Sequence, residues 1–437
     1  MNKIKVTLCF ILISVSLFSQ NGKSFLKVVG RQLQDSCGET IMLRGVNHGN
    51  IWTMDFDMGM PEFTQIAMTN ANCVRICLER KYESWSTGSS VISDLRGGQI
   101  DTIIQAALDQ HLIPIVELHD FTSGTPEFSN VQSNLDSAVA FWTRPSVMDA
   151  LKKHSHFLIL NIANEPEHDV ATDVQYYNAC LTAVNSIRNA GLDVPIMLDA
   201  KFWGQDESCF ITSNYGSSLL AADPQHNLLF SVHAYWESSW YNTTAVINRF
   251  DAIYNSGLPF VIGEFAYENG TTGTVTIDYR LIMYLCNQYQ IGYLYWWWGF
   301  YDPNSNNNLS MTQTGAFTGL SGIGLEVADS IQNSSIVPFL MINGSCFTGI
   351  ESNHLKPEYK LYPNPTTGNF NVVTSDDMFG TIQVSVKECT GKEVYNALLP
   401  INHGLSNFYL KINPGLYIIT ITNSFSKEVI YKSIVVQ

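Results

Sequence analysis

The chain has 437 residues, of which 45% are hydrophobic and only 14% charged, a balance that fits one large buried core plus a smaller unit and excludes intrinsic disorder. Its formal net charge is −15; the excess lies in residues 1–356, which carry 18 basic against 33 acidic groups, whereas 357–437 is balanced at six of each. A surface this acidic repels nucleic acid and anionic membranes but not a neutral ligand, so no nucleic-acid partner is expected.

In chain order, the first twenty residues, "MNKIKVTLCFILISVSLFSQ", carry Lys3 and Lys5, then an apolar run to Phe18, then small and polar residues. That pattern predicts a secretory signal peptide over 1–20, cleaved near Ser19 or Gln20, with Cys9 removed alongside. No later stretch is long and apolar enough to cross a membrane, so no stable membrane insertion is expected. Eight cysteines remain after cleavage; an exported chain permits disulfides, but their pairing is not legible. No paired Cys or Cys/His spacing indicates zinc, and neither a metal nor a cofactor is predicted.

Strand-like runs then alternate with helical ones. The strands are predicted over 41–47, 73–79, 113–119, 157–165, 195–200, 228–235, 259–265 and 291–298, and the clearest helices over 101–110, 134–152, 170–190, 243–256 and 275–290. Eight such repeats over residues 21–330 predict an α/β fold, a (β/α)8 TIM barrel, ahead of an open doubly wound sheet, because no glycine-rich phosphate loop follows the first strand. A Ser/Asn-rich linker is predicted over 331–357. Short alternating runs separated by Gly, Pro and Asn turns predict a small all-β sandwich over 358–437.

The strand ends carry the chemistry. The second supplies Arg75, the third His119, the fourth Asn164 and Glu165, the sixth His233 and Tyr235, the seventh Glu264 and the eighth Trp296. In a barrel these ends meet on one face whatever their separation in sequence. Two carboxyl groups about 5–5.5 Å apart, one a nucleophile and the other an acid and then a base, are what retaining hydrolysis of a glycosidic bond needs. Arg75 would keep the nucleophile ionised, Tyr235 would orient it, Asn164 would hold a sugar hydroxyl, and Trp296 would form a stacking platform. Each has a plainer reading taken alone. A single histidine is more often a satisfied core residue, Arg75 a structural ion-pair partner, Trp297 and Trp298 packing, and Glu79, Glu167 and Glu268 solvated or loop residues. The conjunction of polar groups in barrel order favours a site.

These residues resemble glycoside hydrolase family 5. "NIANEP" resembles its acid/base strand and implies Glu165 as general acid/base; "VIGEF" resembles its nucleophile strand and implies Glu264. "ANCVRIC", "VELHD", "SVHAY" and "YLYWWW" place Arg75, His119, His233 with Tyr235, and Trp296. Within the family the chain is most similar to bacterial endo-β-1,4-mannanases, with "LRGVNHGNIW" and "IMLDAKFWGQ" in the same order; His48, Trp52, Trp203 and Trp298 complete the implied substrate contacts. Asn50, Pro166 and Gly299 depart from the mannanase pattern, and Pro166 is more like the family's cellulases. The last segment, with "LYPNPTTGNFNV" and "NPGLYIITI", resembles the sorting domain of the type IX secretion system. Together these imply a monomeric retaining enzyme that cleaves mannan, glucomannan or glucan. They also imply export by that machinery through the periplasm of a Gram-negative bacterium to the surface or medium. The alternatives are an endo-β-1,4-glucanase of the same family, a non-catalytic polysaccharide-binding surface protein, and a zinc hydrolase using His48, His119 and His233.

Overall fold

The computed structural model describes residues 24–49, 59–83, 92–122, 130–168, 171–268, 276–299, 309–334, 359–362, 366–374, 380–388, 392–401, 405–423 and 429–436. The predicted signal peptide, most of the predicted linker, and Trp52 lie outside them. The chain divides into two compact units, Met1–Cys346 and Phe347–Gln437.

In the first unit eight parallel strands close into a barrel: β1 (Arg44–His48), β2 (Cys73–Leu78), β3 (Ile113–Leu118), β4 (Ile159–Asn161), β5 (Ile196–Asp199), β6 (Leu228–His233), β7 (Phe260–Glu264) and β8 (Gly292–Trp298). Their near-continuous apolar runs are what a parallel sheet covered on both faces demands. One strand face packs outward under the helices. The other fills the barrel from below with Cys73, Ile113, Ile115, Ile159, Met197, Leu229, Val261 and Leu294. A small antiparallel sheet, Lys27–Val29, Gln32–Gln34 and Thr40–Ile41, closes that end by burying Leu33 and Ile41 against the same cluster. The sequence offered no clear signal for this sheet, since strands of two or three residues are too short to show a period.

Two predicted elements change. The run read as one helix over 134–152 is two, Val131–Trp142 and Pro145–Lys153, because Pro145 supplies no amide hydrogen and holds Arg144 outside the helical region, at ψ 134°. The fourth strand, read over 157–165, ends at Asn161. Asn164 and Glu165 therefore ride on the loop beyond it, and Glu165 has φ +43°, a left-handed angle that a side chain adopts only under constraint.

The buried Arg188, at the end of helix Asp173–Asn189, ties together the entries to β5 and β6. Its guanidinium grips both oxygens of Asp223 (2.8 and 3.0 Å). It also donates to the carbonyls of Leu192, Val194 and Asn227.

The second unit is antiparallel throughout. Tyr359–Tyr362, Asn369–Thr374 and Leu405–Tyr409 form one sheet; Glu393–Ile401, Gly380–Glu388, Gly415–Asn423 and Val429–Val436 form another. Phe370 and Val372 of the first share a core with Val384, Val386, Ile419 and Ile421 of the second, which makes a sandwich. Among the described residues no helix is long and apolar enough to cross a membrane.

Asp223→Ala strands the Arg188 charge in the core and is expected to cost about 3–5 kcal/mol. Urea denaturation of wild type and variant measures this, and a loss near zero would show that the pair does not fasten β5 and β6.

Candidate active site

A single guanidinium organises the C-terminal end of the barrel. Arg75, on β2 and fully buried, donates through Nε to Asn161 (2.8 Å). Through its terminal nitrogens it donates to Asn47 (3.0 Å), Glu264 Oε1 (2.7 Å) and Asn164 (2.7 Å). Asp199 stands at 3.4 Å and Glu117 at 3.7 Å. Burial works against its charge, but Glu117, Asp199 and Glu264 outweigh it and hold the proton more firmly than usual. The partners come from β1, β3, β4, β5, β7 and the loop after β4. Register explains much of this convergence: Asn47 pairs with Arg75 across β1 and β2, and the strand-borne partners lie near strand ends.

Glu264 ends β7. Arg75 donates to one of its oxygens and the Tyr235 hydroxyl to the other (2.9 Å). Glu165 faces it: one oxygen of each glutamate and a nitrogen of His233 lie within 4.8 Å of one another. His233 Nδ1 donates to Glu165 Oε1 (2.7 Å) and stands 3.6 Å from Glu264, while Nε2 is 3.3 Å from Asp199. Burial opposes charge on this ring, yet Glu264, Asp199 and Glu165 raise its pKa to about 10, so it is an imidazolium at neutral pH. Burial pushes the Glu165 carboxyl up from its ordinary value, against the His233 cation, which pulls it down. Asp199 is buried too, but His233, Arg75 and the Glu165 amide (3.1 Å) hold it well below the usual carboxylate range. The two glutamates thus occupy different environments, which is what separates an acid from a nucleophile.

Around this pair, His119 donates from Nδ1 to Glu117 (2.8 Å) and stacks on Trp296 at 5.4 Å between centroids. Asn164 is fully buried, with its oxygen on Arg75 and its amide on Thr122 (2.6 Å). Trp203, half-buried after β5, stacks on His168. Two expected substrate contacts are not brought here. His48 is buried and bonds Glu62 (2.6 Å), because its neighbour Asn47 takes the inward position. Trp298 is fully buried, and its indole N–H is donated to the Gly315 carbonyl (3.0 Å). The three histidines of the zinc alternative do not converge: among the described residues the close donor groups are Cys77, Glu117, His119 and Glu165, His233, Glu264.

Sequence reasoning did not single out Asn47, Glu117, Asn161 or Asp199. The available signal was a polar residue at inward parity inside an apolar run, as in "LRGVN", "IVEL", "LILN" and "IMLD". Glu167 and Glu268, read as solvated or loop residues, are buried.

Residues 34–302 match the family model "Cellulase (glycosyl hydrolase family 5)", and 360–437 match "Secretion system C-terminal sorting domain". The chain is 34% identical over 280 residues to a mannan endo-1,4-beta-mannosidase of Cellvibrio japonicus, covering 64% of this chain and 60% of that one. It is 31% identical to a mannan endo-1,4-beta-mannosidase of Salipaludibacillus agaradhaerens, covering 62% of this chain and 80% of that protein. The crystal structure of a beta-mannanase from Streptomyces thermolilacinus with mannohexaose is similar with a TM-score of 0.60 and 28% identity, covering 71% of this chain and 95% of that one.

The buried imidazolium links the site to stability. A His with its folded pKa raised from 6.5 to about 10 gives stability that is fully present below pH 6.5 and is lost as pH rises towards 10. Urea midpoints are therefore expected to fall across that window, and His233→Asn to flatten the fall. An equal fall in the variant would contradict the assignment.

Proposed function

The chain belongs to glycosyl hydrolase family 5, and within that family we propose that it is an endo-acting retaining hydrolase of β-1,4-mannosidic bonds in mannan-type polysaccharides. The observation that carries the chemistry is the approach of Glu165 and Glu264, with an oxygen of each within 4.8 Å. That supports the separation of about 5–5.5 Å used for retention over the roughly 6.5–9.5 Å of an inverting site.

The reaction runs in two displacements. Glu165, whose carboxyl is pushed up by burial against the pull of His233, gives its proton to the glycosidic oxygen as Glu264 attacks the anomeric carbon. The carbon–oxygen bond breaks, the leaving chain departs as an alcohol, and a glycosyl ester forms on Glu264. A water then loses a proton to Glu165 and attacks the same carbon; the ester breaks, Glu264 is a carboxylate again and Glu165 is reprotonated. Arg75 and Tyr235 hold the Glu264 oxygens in place throughout, which keeps the reacting atoms aligned. Trp296, half-buried beside His119, offers a ring face for the sugar being cleaved.

Two relatives described as mannan endo-1,4-beta-mannosidases support the substrate. The chain spans 60% of the length of the first and 80% of the second. The family model's description as a cellulase supports glucan as the second reading. In our reading residues 1–20 are a signal peptide, 21–330 the catalytic barrel, 331–357 a linker and 358–437 the sorting unit. That unit would engage the type IX machinery and carry a monomeric enzyme through the periplasm to the cell surface or medium. The sorting-domain match over 360–437 supports this route.

Reducing-sugar release from mannan, glucomannan and carboxymethyl-cellulose tests the proposal. Mannan is expected to be cut, and Glu264→Gln to lower kcat by about 10³-fold or more. Release from cellulose alone moves the substrate to glucan. A folded protein silent on all three contradicts catalysis and favours the polysaccharide-binding reading.

A further inference from the structure

Glu167 is buried two residues beyond Glu165, and the two displacements make no use of it. One of its carboxylate oxygens accepts from the Ala171 amide (2.7 Å) and the other from the Phe202 amide (3.1 Å). Its backbone carbonyl accepts from the Trp203 amide (3.0 Å). A single residue of the loop after β4 thus grips the loop after β5 twice. That loop is strained where it is gripped. Phe202, Trp203 and Gly204 have φ of +54°, +51° and +71°, three successive left-handed residues of which only the glycine bears no side-chain penalty. Such a turn persists where its surroundings over-determine it.

The turn in turn seats His233. The Gly204 carbonyl accepts from the His233 amide (2.8 Å). Its α-carbon lies so close to the imidazole that an added β-carbon would stand 2.5 Å from His233 Cγ. The seated ring is the one that donates to Glu165 (2.7 Å). We propose that Glu167 is a positioning residue: its carboxylate holds the left-handed turn 202–204 against His233, and so sets how His233 meets Glu165. This rests on the reading of Glu165 as the general acid.

Several charged groups share the neighbourhood. Glu165 faces His233 from β6, Glu264 from β7 and His119 at the end of β3, and its amide is donated to Asp199 on β5. His233 faces Asp199, Glu264 and Glu165. Glu167 faces Lys201, which is bonded to Asp173 (2.8 Å), and His168. Among these, the His233 imidazolium is the cation in hydrogen-bond contact with the Glu165 carboxyl. Loosening it removes support for the ionised acid, so the acid keeps its proton to higher pH.

The test compares the full-length wild type with Glu167→Gln. It uses the polysaccharide that the wild type cleaves, with folding followed by thermal melting and kcat and KM read across pH. The expected result is a folded variant whose basic limb of kcat/KM moves to higher pH, and whose kcat falls roughly ten- to a hundredfold with KM less changed. A variant that melts earlier but keeps the wild-type kcat and basic limb overturns the positioning role and leaves Glu167 a purely structural clamp. If Glu167→Gln does not fold, Glu167→Asp, which keeps the charge on a side chain one methylene shorter, is read in the same way. A wild type silent on every polysaccharide overturns this inference together with the catalytic reading beneath it. An active wild type with an unmoved variant overturns this inference alone.

Discussion

The buried guanidinium of Arg75 is the constraint on which the rest of the site depends. An isolated charge at the centre of a barrel is prohibitively costly to desolvate. Here it is offset by Glu264, Asp199 and Glu117, with Asn47, Asn161 and Asn164 filling the remaining donors. The cost runs in both directions, because without the arginine each carboxylate loses a buried counter-charge. The residues are therefore mutually required. They come from six places around the barrel, and satisfying them together fixes the strand ends relative to one another. Precise placement of Glu264 is a consequence of core electrostatics.

A second layer of charge rests on the first. Asp199 is shared between Arg75 and His233, and His233 is shared between Asp199 and Glu165. Glu165 therefore feels the surroundings of Glu264 through two intermediates as well as directly. Burial raises Glu165 and the imidazolium restrains that rise; the proposed cycle asks this group both to lose and to regain a proton. The left-handed angles at Glu165 and over 202–204 lie within this same layer. Strain is concentrated where the packing around it is most over-determined.

Much of this was legible in the sequence, and the reasons are specific. "CVRICL" and "IPIVEL" are apolar on both faces, so they could only be doubly covered strands, and eight such runs implied a closed barrel. Glu165, Glu264, Arg75, His233 and Tyr235 were legible because a charged or polar group at the end of such a run has no solvent to return to. Asp199 and Glu117 were passed over, although they carry the same signal of a charged group in an apolar run, because such a group declares a partner without naming it and the partner lies on another strand. Glu167 does lie on a loop, but its burial was not legible because its carboxylate bonds backbone amides at Ala171 and Phe202, and no side-chain pattern records an amide. His48 was misread by one position of parity: Asn47 takes the inward place, and one residue's shift turns a side chain to the other face.

Double displacement at one sugar by two carboxyls held by different partners is the central proposal. The most direct test is the anomeric configuration of the first product, followed by proton NMR during early hydrolysis of a β-linked manno-oligosaccharide. The β-anomer appearing first, with the α-anomer growing only by mutarotation, is the predicted result. The α-anomer appearing first would mean that a water attacks directly and would contradict the roles given to Glu165 and Glu264.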